Sequence, residues 1–219
     1  MIRGVIFDLD GVLVSTDEMH FRAWERLARE EGIPFDRSIG HRQRGVSRME
    51  SLDILLEKSP RAYTAEERTA LAARKQGYFR DLLNTLTPAD ALPGAVQMLR
   101  AMRERGIRTA VGSSSRNAPV IMERLGFNGA VDVVADGNDI RHSKPDPEVF
   151  LIAAQRLGLR PEECLVIEDA ASGIEAGRRA GMPVFGIGTP ERLPGVRHMA
   201  RNLAEVTPEE LLAAGEEPS

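Results

Sequence analysis

Val5-Ile6-Phe7-Asp8-Leu9-Asp10-Gly11-Val12 is the stretch on which the reading of this chain turns. Ile2 and Val5-Ile6-Phe7 make an apolar run too short for a helix and rich in β-branched and aromatic residues. That is the pattern of a strand buried on both faces of a parallel sheet. Two carboxylates two residues apart follow at once, and then Gly11. Open α/β sheets bind ligands in the crevice beyond the carboxyl ends of their strands, and a break after Asp8 would put both acids there. Acids so placed repel each other unless a cation, a proton or a donor intervenes. Alone, the motif is equally a strand running into an Asp-Gly turn, so the rest of the chain has to decide.

Downstream, a helical stretch is expected from Glu18 to Glu31, with Phe21, Trp24, Leu27 and Ala28 on one stripe and Gly32-Ile33-Pro34 as its stop. From Asp36 to Thr87 the chain is rich in Arg and Lys and reads as helical, over Arg48 to Glu57 and Ala65 to Leu83, with little strand character. Alternation then sets in. A helix carrying Val96, Leu99 and Met102 ends at Gly106. Strand Ile107 to Val111 runs into Gly112-Ser113-Ser114-Ser115, and helix Arg116 to Leu125 is stopped by Gly126. Strand 131–134, helix Pro147 to Leu157, strand 164–167, helix Ala171 to Ala180, strand Pro183 to Ile187 and a short helix from Pro208 to Ala213 complete the series. Strands alternating with helices of this length predict an α/β fold, a doubly wound Rossmann-like parallel sheet. The domains are expected at 1–14 with 92–219 for that core, and 15–91 for a helical segment inserted after the first strand.

Every chemically distinctive group follows a strand: Asp8 and Asp10 the first, Ser113-Ser114-Ser115 the second, Ser143-Lys144-Pro145 the third, Glu168-Asp169 the fourth. Parallel strands end on one edge, so the four groups converge whatever the strand order. Separately each is ordinary, since serines cap helices and acids open them; four together on one edge make a site. Asp8, Asp10, Glu168 and Asp169 crowd up to four carboxylates, which a hard divalent cation with oxygen ligands relieves, and Mg2+ takes carboxylates together with substrate phosphate. The serine run offers hydroxyls and N–H groups for a phosphate, and Lys144 adds a point charge. A metal, a phosphate cradle and an ionised carboxylate point to phosphoryl transfer with Asp8 as covalent nucleophile.

The composition fits a soluble protein. The 219 residues carry 29 basic and 33 acidic side chains, a net charge of −4, with no footprint for nucleic acid or an anionic membrane. A single cysteine, Cys164, excludes an internal disulfide framework. Met1-Ile2-Arg3 leads straight into the first strand and no apolar run reaches bilayer length, so a cytoplasmic protein without membrane partners is expected.

Asp8-Leu9-Asp10-Gly11-Val12, Ser113, Lys144-Pro145 and Glu168-Asp169 resemble the four motifs of the haloacid dehalogenase superfamily, and the helical insert stands where that superfamily carries a cap. A fuller likeness rests on His20-Phe21-Arg22-Ala23-Trp24, Arg44-Gly45-Val46-Ser47-Arg48, Ala73-Arg74-Lys75, Ser113-Ser114-Ser115-Arg116-Asn117 and Ser143-Lys144-Pro145, which resemble the β-phosphoglucomutase family. That resemblance implies a mutase interconverting β-glucose 1-phosphate and glucose 6-phosphate through a phospho-aspartate and a sugar bisphosphate. It implies Asp8 as nucleophile and Asp10 as general acid/base. Mg2+ would lie on Asp8, the backbone carbonyl of Asp10 and Asp169, with Glu168 close by. The phosphate site would use Ser113, Ser114, Lys144, Arg116 and Asn117. On the cap, Arg48 would take the remote phosphate and His20 and Lys75 would couple closure to Asp10, with Thr16, Trp24, Gly45, Val46, Ser51 and Ser115 as further substrate contacts. His20 without the resemblance reads as a side chain packed or solvated beside an apolar stripe. The chain departs from that family's usual pattern at Ser15, Met19 and Arg116, where an Asp, an aromatic residue and a Lys are common. The expected partners are sugar phosphates and bisphosphates, acted on by a monomer. A sugar-phosphate phosphatase shares every core residue and stays open as the alternative, and a silent sugar-phosphate binder would not need so complete a set of acids.

Overall fold

The computed structural model describes residues 1–43 and 47–216, which form two compact units: Met1–Ser15 with Thr87 onward, and Thr16–Leu86. In the first unit six strands form one sheet in the order β3-β2-β1-β4-β5-β6. They are β1 (Gly4–Phe7), β2 (Arg108–Gly112), β3 (Val133–Ala135), β4 (Cys164–Glu168), β5 (Val184–Ile187) and β6 (Met199–Ala200). Every neighbouring pair is parallel. The helices between them are α5 (Ala95–Glu104), α6 (Ala118–Arg124), α7 (Glu148–Leu157) and α8 (Ala171–Arg179), with α9 (Pro208–Ala214) at the end; the numbering leaves α1 to α4 for the second unit.

The first strand is central because it is apolar on both faces. Ile6 joins Ala110 and Val166 against Phe150, Ala153 and Ala154 of α7 and Ala176 of α8. Val5, Phe7, Val111, Leu165 and Ile167 alternate to the opposite face and are equally buried. The order reverses between β1 and β4, since the chain moves outward through β2 and β3 and then back to β4 beside β1, and such a switch point is where α/β sheets hold ligands. Register makes the placement exact: Phe7 stands opposite Val111 on one side and Ile167 on the other. Asp8, Gly112 and Glu168 are therefore level at the sheet's carboxyl edge, where the Asp8 N–H still donates to the Ile167 carbonyl at 2.9 Å.

The second unit follows β1, and its regular elements among the described residues are four helices: α1 (Asp17–Glu31), α2 (Arg37–Arg42), α3 (Arg48–Leu56) and α4 (Ala65–Leu83). Trp24, Leu27 and Ala28 of α1 meet Leu52 and Leu55 of α3 and Leu71 and Ala72 of α4 in a core of their own. Gly32 ends α1 at φ 67°, its N–H donating back to Ala28 and Arg29 carbonyls.

Some boundaries differ from the sequence expectation. The second unit stops at Leu86, not Ala91, because Leu92 N–H donates to the Leu13 carbonyl and Ala91 bridges Val14, which ties Thr87–Ala91 to the sheet unit. Val96 is about half exposed (49%), and the buried stripe of α5 is Ala95, Met98, Leu99 and Met102. β3 begins at Val133 since Asp132 spends its carboxylate on the Thr109 N–H at 2.7 Å. Helix α2, capped by Asp36 on the Ile39 N–H, and the two-residue β6 carried no periodic signal long enough to announce them.

Candidate active site

Lys144 is the hub of the site. Its Nζ donates to Asp8 Oδ1 at 2.6 Å and to Glu168 Oε1 at 2.7 Å, with all three side chains nearly sealed from solvent. The ammonium also lies 4.6 Å from the centroid of the Phe150 ring. Burial by itself would push the lysine down, but the two carboxylates win and hold it above its ordinary value. Burial pushes the Asp8 carboxyl up, against the pull of Lys144, and Glu168 and Asp10 push the same way as burial. Asp8 and Glu168 thus share a single ammonium in a site from which solvent is nearly excluded.

Asp169 completes the group: oxygens of Asp8, Glu168 and Asp169 lie within 4.8 Å of one another. Gly11 permits this. It sits at φ +88°, and a Cβ there would fall 2.2 Å from the Asp169 carboxyl. The donor set is all oxygen and carries more negative than positive charge, which suits a hard cation such as Mg2+. Glu168 is the most committed of the three: its second oxygen accepts the Ala170 N–H at 2.7 Å. The Asp10 carboxylate does not join the three-carboxylate group; Asp10 makes an isolated bridge with Val14.

The serine run turns on itself. Ser113 is buried and its Oγ accepts the Ser115 N–H at 3.1 Å, while Ser115 Oγ accepts the Asn117 N–H at 3.2 Å. These short turns delay the helix, which starts at Ala118 where the sequence had suggested Arg116. Two of the N–H groups anticipated for a phosphate are thereby engaged by hydroxyls. Ser114 Oγ accepts the Lys144 N–H at 3.4 Å and so joins the loops after β2 and β3. Arg116 is exposed, its Nε donating to the Gly137 carbonyl at 3.3 Å.

In the helical unit, Lys75 is buried, at 2% exposure, with its Nζ 2.7 Å from His20 Nδ1 and about equally far from the Trp24 and Phe79 rings, 5.0 and 4.9 Å. His20 stacks on Phe79 at 3.9 Å. Burial and the Arg48 charge push Lys75 down to about 7. Burial, then the Lys75 and Arg48 charges, lower His20 as well. The imidazole keeps exposed surface, which moderates its shift, but an ammonium at 2.7 Å sets the direction. Arg48 is exposed at the first position of α3, after Ser47, whose capping box with Glu50 starts that helix. Ser51 is buried, and the Gln43 side-chain amide donates to its carbonyl at 2.8 Å. Thr16 is buried at the start of α1, its carbonyl accepting the His20 N–H. Gly45 and Val46 lie outside the described residues.

Sequence reasoning missed three contributors. Phe150 under Lys144 is one. Gly173 is another, where a Cβ would collide with Glu168 at 1.7 Å. The third is Arg192, whose guanidinium donates to Asp169 Oδ2 at 3.2 Å. It lies in the loop after β5, and the rule that parallel strands end on one edge, applied to the fifth strand, would have flagged that loop.

Comparison with known proteins adds three findings. The model of the haloacid dehalogenase-like hydrolases matches residues 2–181. A β-phosphoglucomutase of Bacillus subtilis is 39% identical over 94% of this chain and 92% of its own, and a phosphorylated carbohydrates phosphatase of Thermotoga maritima is 32% identical over 96% and 97%. The crystal structure of a β-phosphoglucomutase from Clostridium difficile superposes with a TM-score of 0.84 at 34% identity, covering 98% of this chain and 97% of that one.

Proposed function

The chain belongs to the haloacid dehalogenase-like hydrolase family, and from that membership we propose that it is a β-phosphoglucomutase, interconverting β-glucose 1-phosphate and glucose 6-phosphate. The observation that carries the phosphoryl-transfer chemistry is the Lys144 ammonium clamped between Asp8 and Glu168 with Asp169 beside them. The mutase reading draws its support from the likeness to the Bacillus subtilis mutase, which extends through the helical unit as well as the sheet.

Lys144 fixes Asp8 Oδ1 and so orients the carboxylate for attack on phosphorus. A phosphoryl group passes from the sugar to an Asp8 oxygen: the P–O bond to the sugar breaks, the bond to Asp8 forms, and Asp10 supplies the proton to the departing sugar oxygen. In the return step Asp10 takes the proton from the hydroxyl at the sugar's other end as that oxygen accepts the phosphoryl group from Asp8. Started from a phosphorylated Asp8, the two steps pass through a sugar bisphosphate that leaves and rebinds end for end. Asp8, Asp169 and the Asp10 backbone carbonyl would hold Mg2+, which supplies charge neutralisation for the phosphoryl oxygens when bound. Glu168 positions Lys144, and Ser113 and Ser114 flank the phosphate.

A mutase also needs a cation for the second phosphate, and Arg48 is the candidate. A cation at a helix N-terminus opposes the helix dipole, and the neighbouring Lys75 charge adds to that cost, an arrangement that makes sense once a phosphate binds there. Lys75 and His20, cross-bonded in a wall of Trp24 and Phe79, would shape the same region.

The Thermotoga maritima relative is named as a phosphatase, which gives the second reading its specific support: the same steps with water in place of the sugar hydroxyl. The deciding assay follows β-glucose 1-phosphate, with Mg2+ and a bisphosphate primer, for glucose 6-phosphate and for inorganic phosphate in one sample. The mutase reading expects glucose 6-phosphate to dominate; release of inorganic phosphate without glucose 6-phosphate establishes the phosphatase.

A further inference from the structure

The acids of the site are served by two cations of different character. Lys144 is buried and satisfies Asp8 and Glu168. Asp169 receives Arg192, whose side chain is 64% exposed. The arginine is delivered by a clamped loop: the N–H groups of Arg192 and Leu193 both donate to the Thr189 carbonyl at 3.0 Å. Leu193 is buried, seated against Gly186, where a Cβ would crowd it at 2.9 Å. The backbone of the loop is held to the end of β5, while the long side chain of Arg192 extends from it with solvent on most of its surface.

We propose that Arg192 is a displaceable counter-charge for Asp169, a positioning residue that holds this carboxylate in the metal-free enzyme and competes with the divalent cation for it. The inference rests on the metal reading above and deepens it. The arginine side of the pair is open to solvent while the Asp169 side chain is only 17% exposed, so a divalent ion with two further carboxylate neighbours can take the oxygen and leave the guanidinium to solvent. Before that exchange the pair lowers the repulsion among Asp8, Glu168 and Asp169 and keeps Asp169 turned toward them. Its consequence is a weaker intrinsic affinity for the metal, since a positive charge must be moved aside. Lys144 cannot play this part: it is sealed between two acids and has nowhere to go.

The test is binding of Mn2+, which shares the oxygen preference of Mg2+, to the full chain without sugar phosphate, read from the EPR signal of the free ion. Arg192→Gln should tighten Mn2+ binding about three- to tenfold at low salt, the size expected for removing one partly screened charge. The gain should shrink as ionic strength rises, and Arg192→Lys should return the affinity toward wild type. Unchanged or weaker binding by Arg192→Gln overturns the inference while leaving the metal reading intact. Failure of wild type and variant alike to take up Mn2+ removes the metal reading itself.

Discussion

Lys144 shows how one side chain can set both stability and chemistry. Cutting it to alanine leaves Asp8 and Glu168 facing each other in a buried site. Removing one partner of such a group costs about 3 kcal/mol or more, and turnover should vanish with it. Urea unfolding of Lys144→Ala should register that loss; a stability within about 1 kcal/mol of wild type would mean the lysine is not the keystone described. Lys75 gives the pH test. Its pKa falls from 10.5 to about 7 in the folded chain, so between those values the unfolded chain binds more protons and stability rises with pH. Lys75→Met removes the penalty. Its advantage over wild type should be greatest at pH 7 and below, and should fade by roughly 4 kcal/mol toward pH 10. A pH-independent difference would contradict the buried, desolvated ammonium. At this scale the acids and Lys144 were legible because each directly follows a strand. The pairing of Lys75 with His20 spans 55 positions, and no spacing rule reaches that far; only the family likeness pointed to it. Glu168 was expected near the metal; its carboxylate lies in one group with Asp8 and Asp169, and its oxygens also bond to Lys144 and the Ala170 N–H.

Among the elements, α8 carries more of the site than its own residues suggest. Its glycine at 173 leaves the space into which the Glu168 carboxyl folds. Gly173→Ala would drive a methyl into a carboxylate that cannot retreat, held as it is by Lys144 and the Ala170 N–H. Activity should fall at least about tenfold, the price of a slight misplacement of catalytic groups, although residue 173 touches no substrate; full activity would show that Glu168 has slack. The strands and long helices were readable from period and length, since β1 and β4 are apolar runs ended by distinctive residues, and α1 is stopped by Gly32. What escaped were elements without a period to read: α2 is six residues long and β6 two. Val96, Leu99 and Met102 lie on helix α5 as read, and its buried stripe runs through Ala95, Met98, Leu99 and Met102.

For the whole molecule, the division of labour between the two units is the part of the account that separates a mutase from a phosphatase. The sheet unit carries the residues of the proposed phosphoryl chemistry; the helical unit, with its own core around Trp24, Leu27 and Leu55, carries the proposed recognition of the second phosphate. Arg48→Ala should lower mutase kcat/KM about 100-fold, the value of one charge-assisted phosphate contact, while hydrolysis of a small aryl phosphate changes little. Equal losses in both reactions would deny Arg48 that role. The α/β class and the helical insert were legible from alternation and its interruption, whereas the boundary at Leu86 depends on a bridge between Val14 and Ala91 that no local pattern reveals. Beneath all of this lies the claim that Asp8 becomes phosphorylated. Rapid mixing with a sugar bisphosphate in Mg2+, followed by acid quench and mass-spectrometric peptide mapping, tests it most directly. The account predicts one phosphoryl group on Asp8, absent from Asp8→Asn; turnover with no phosphoryl group on Asp8, or with one on another residue, would contradict it.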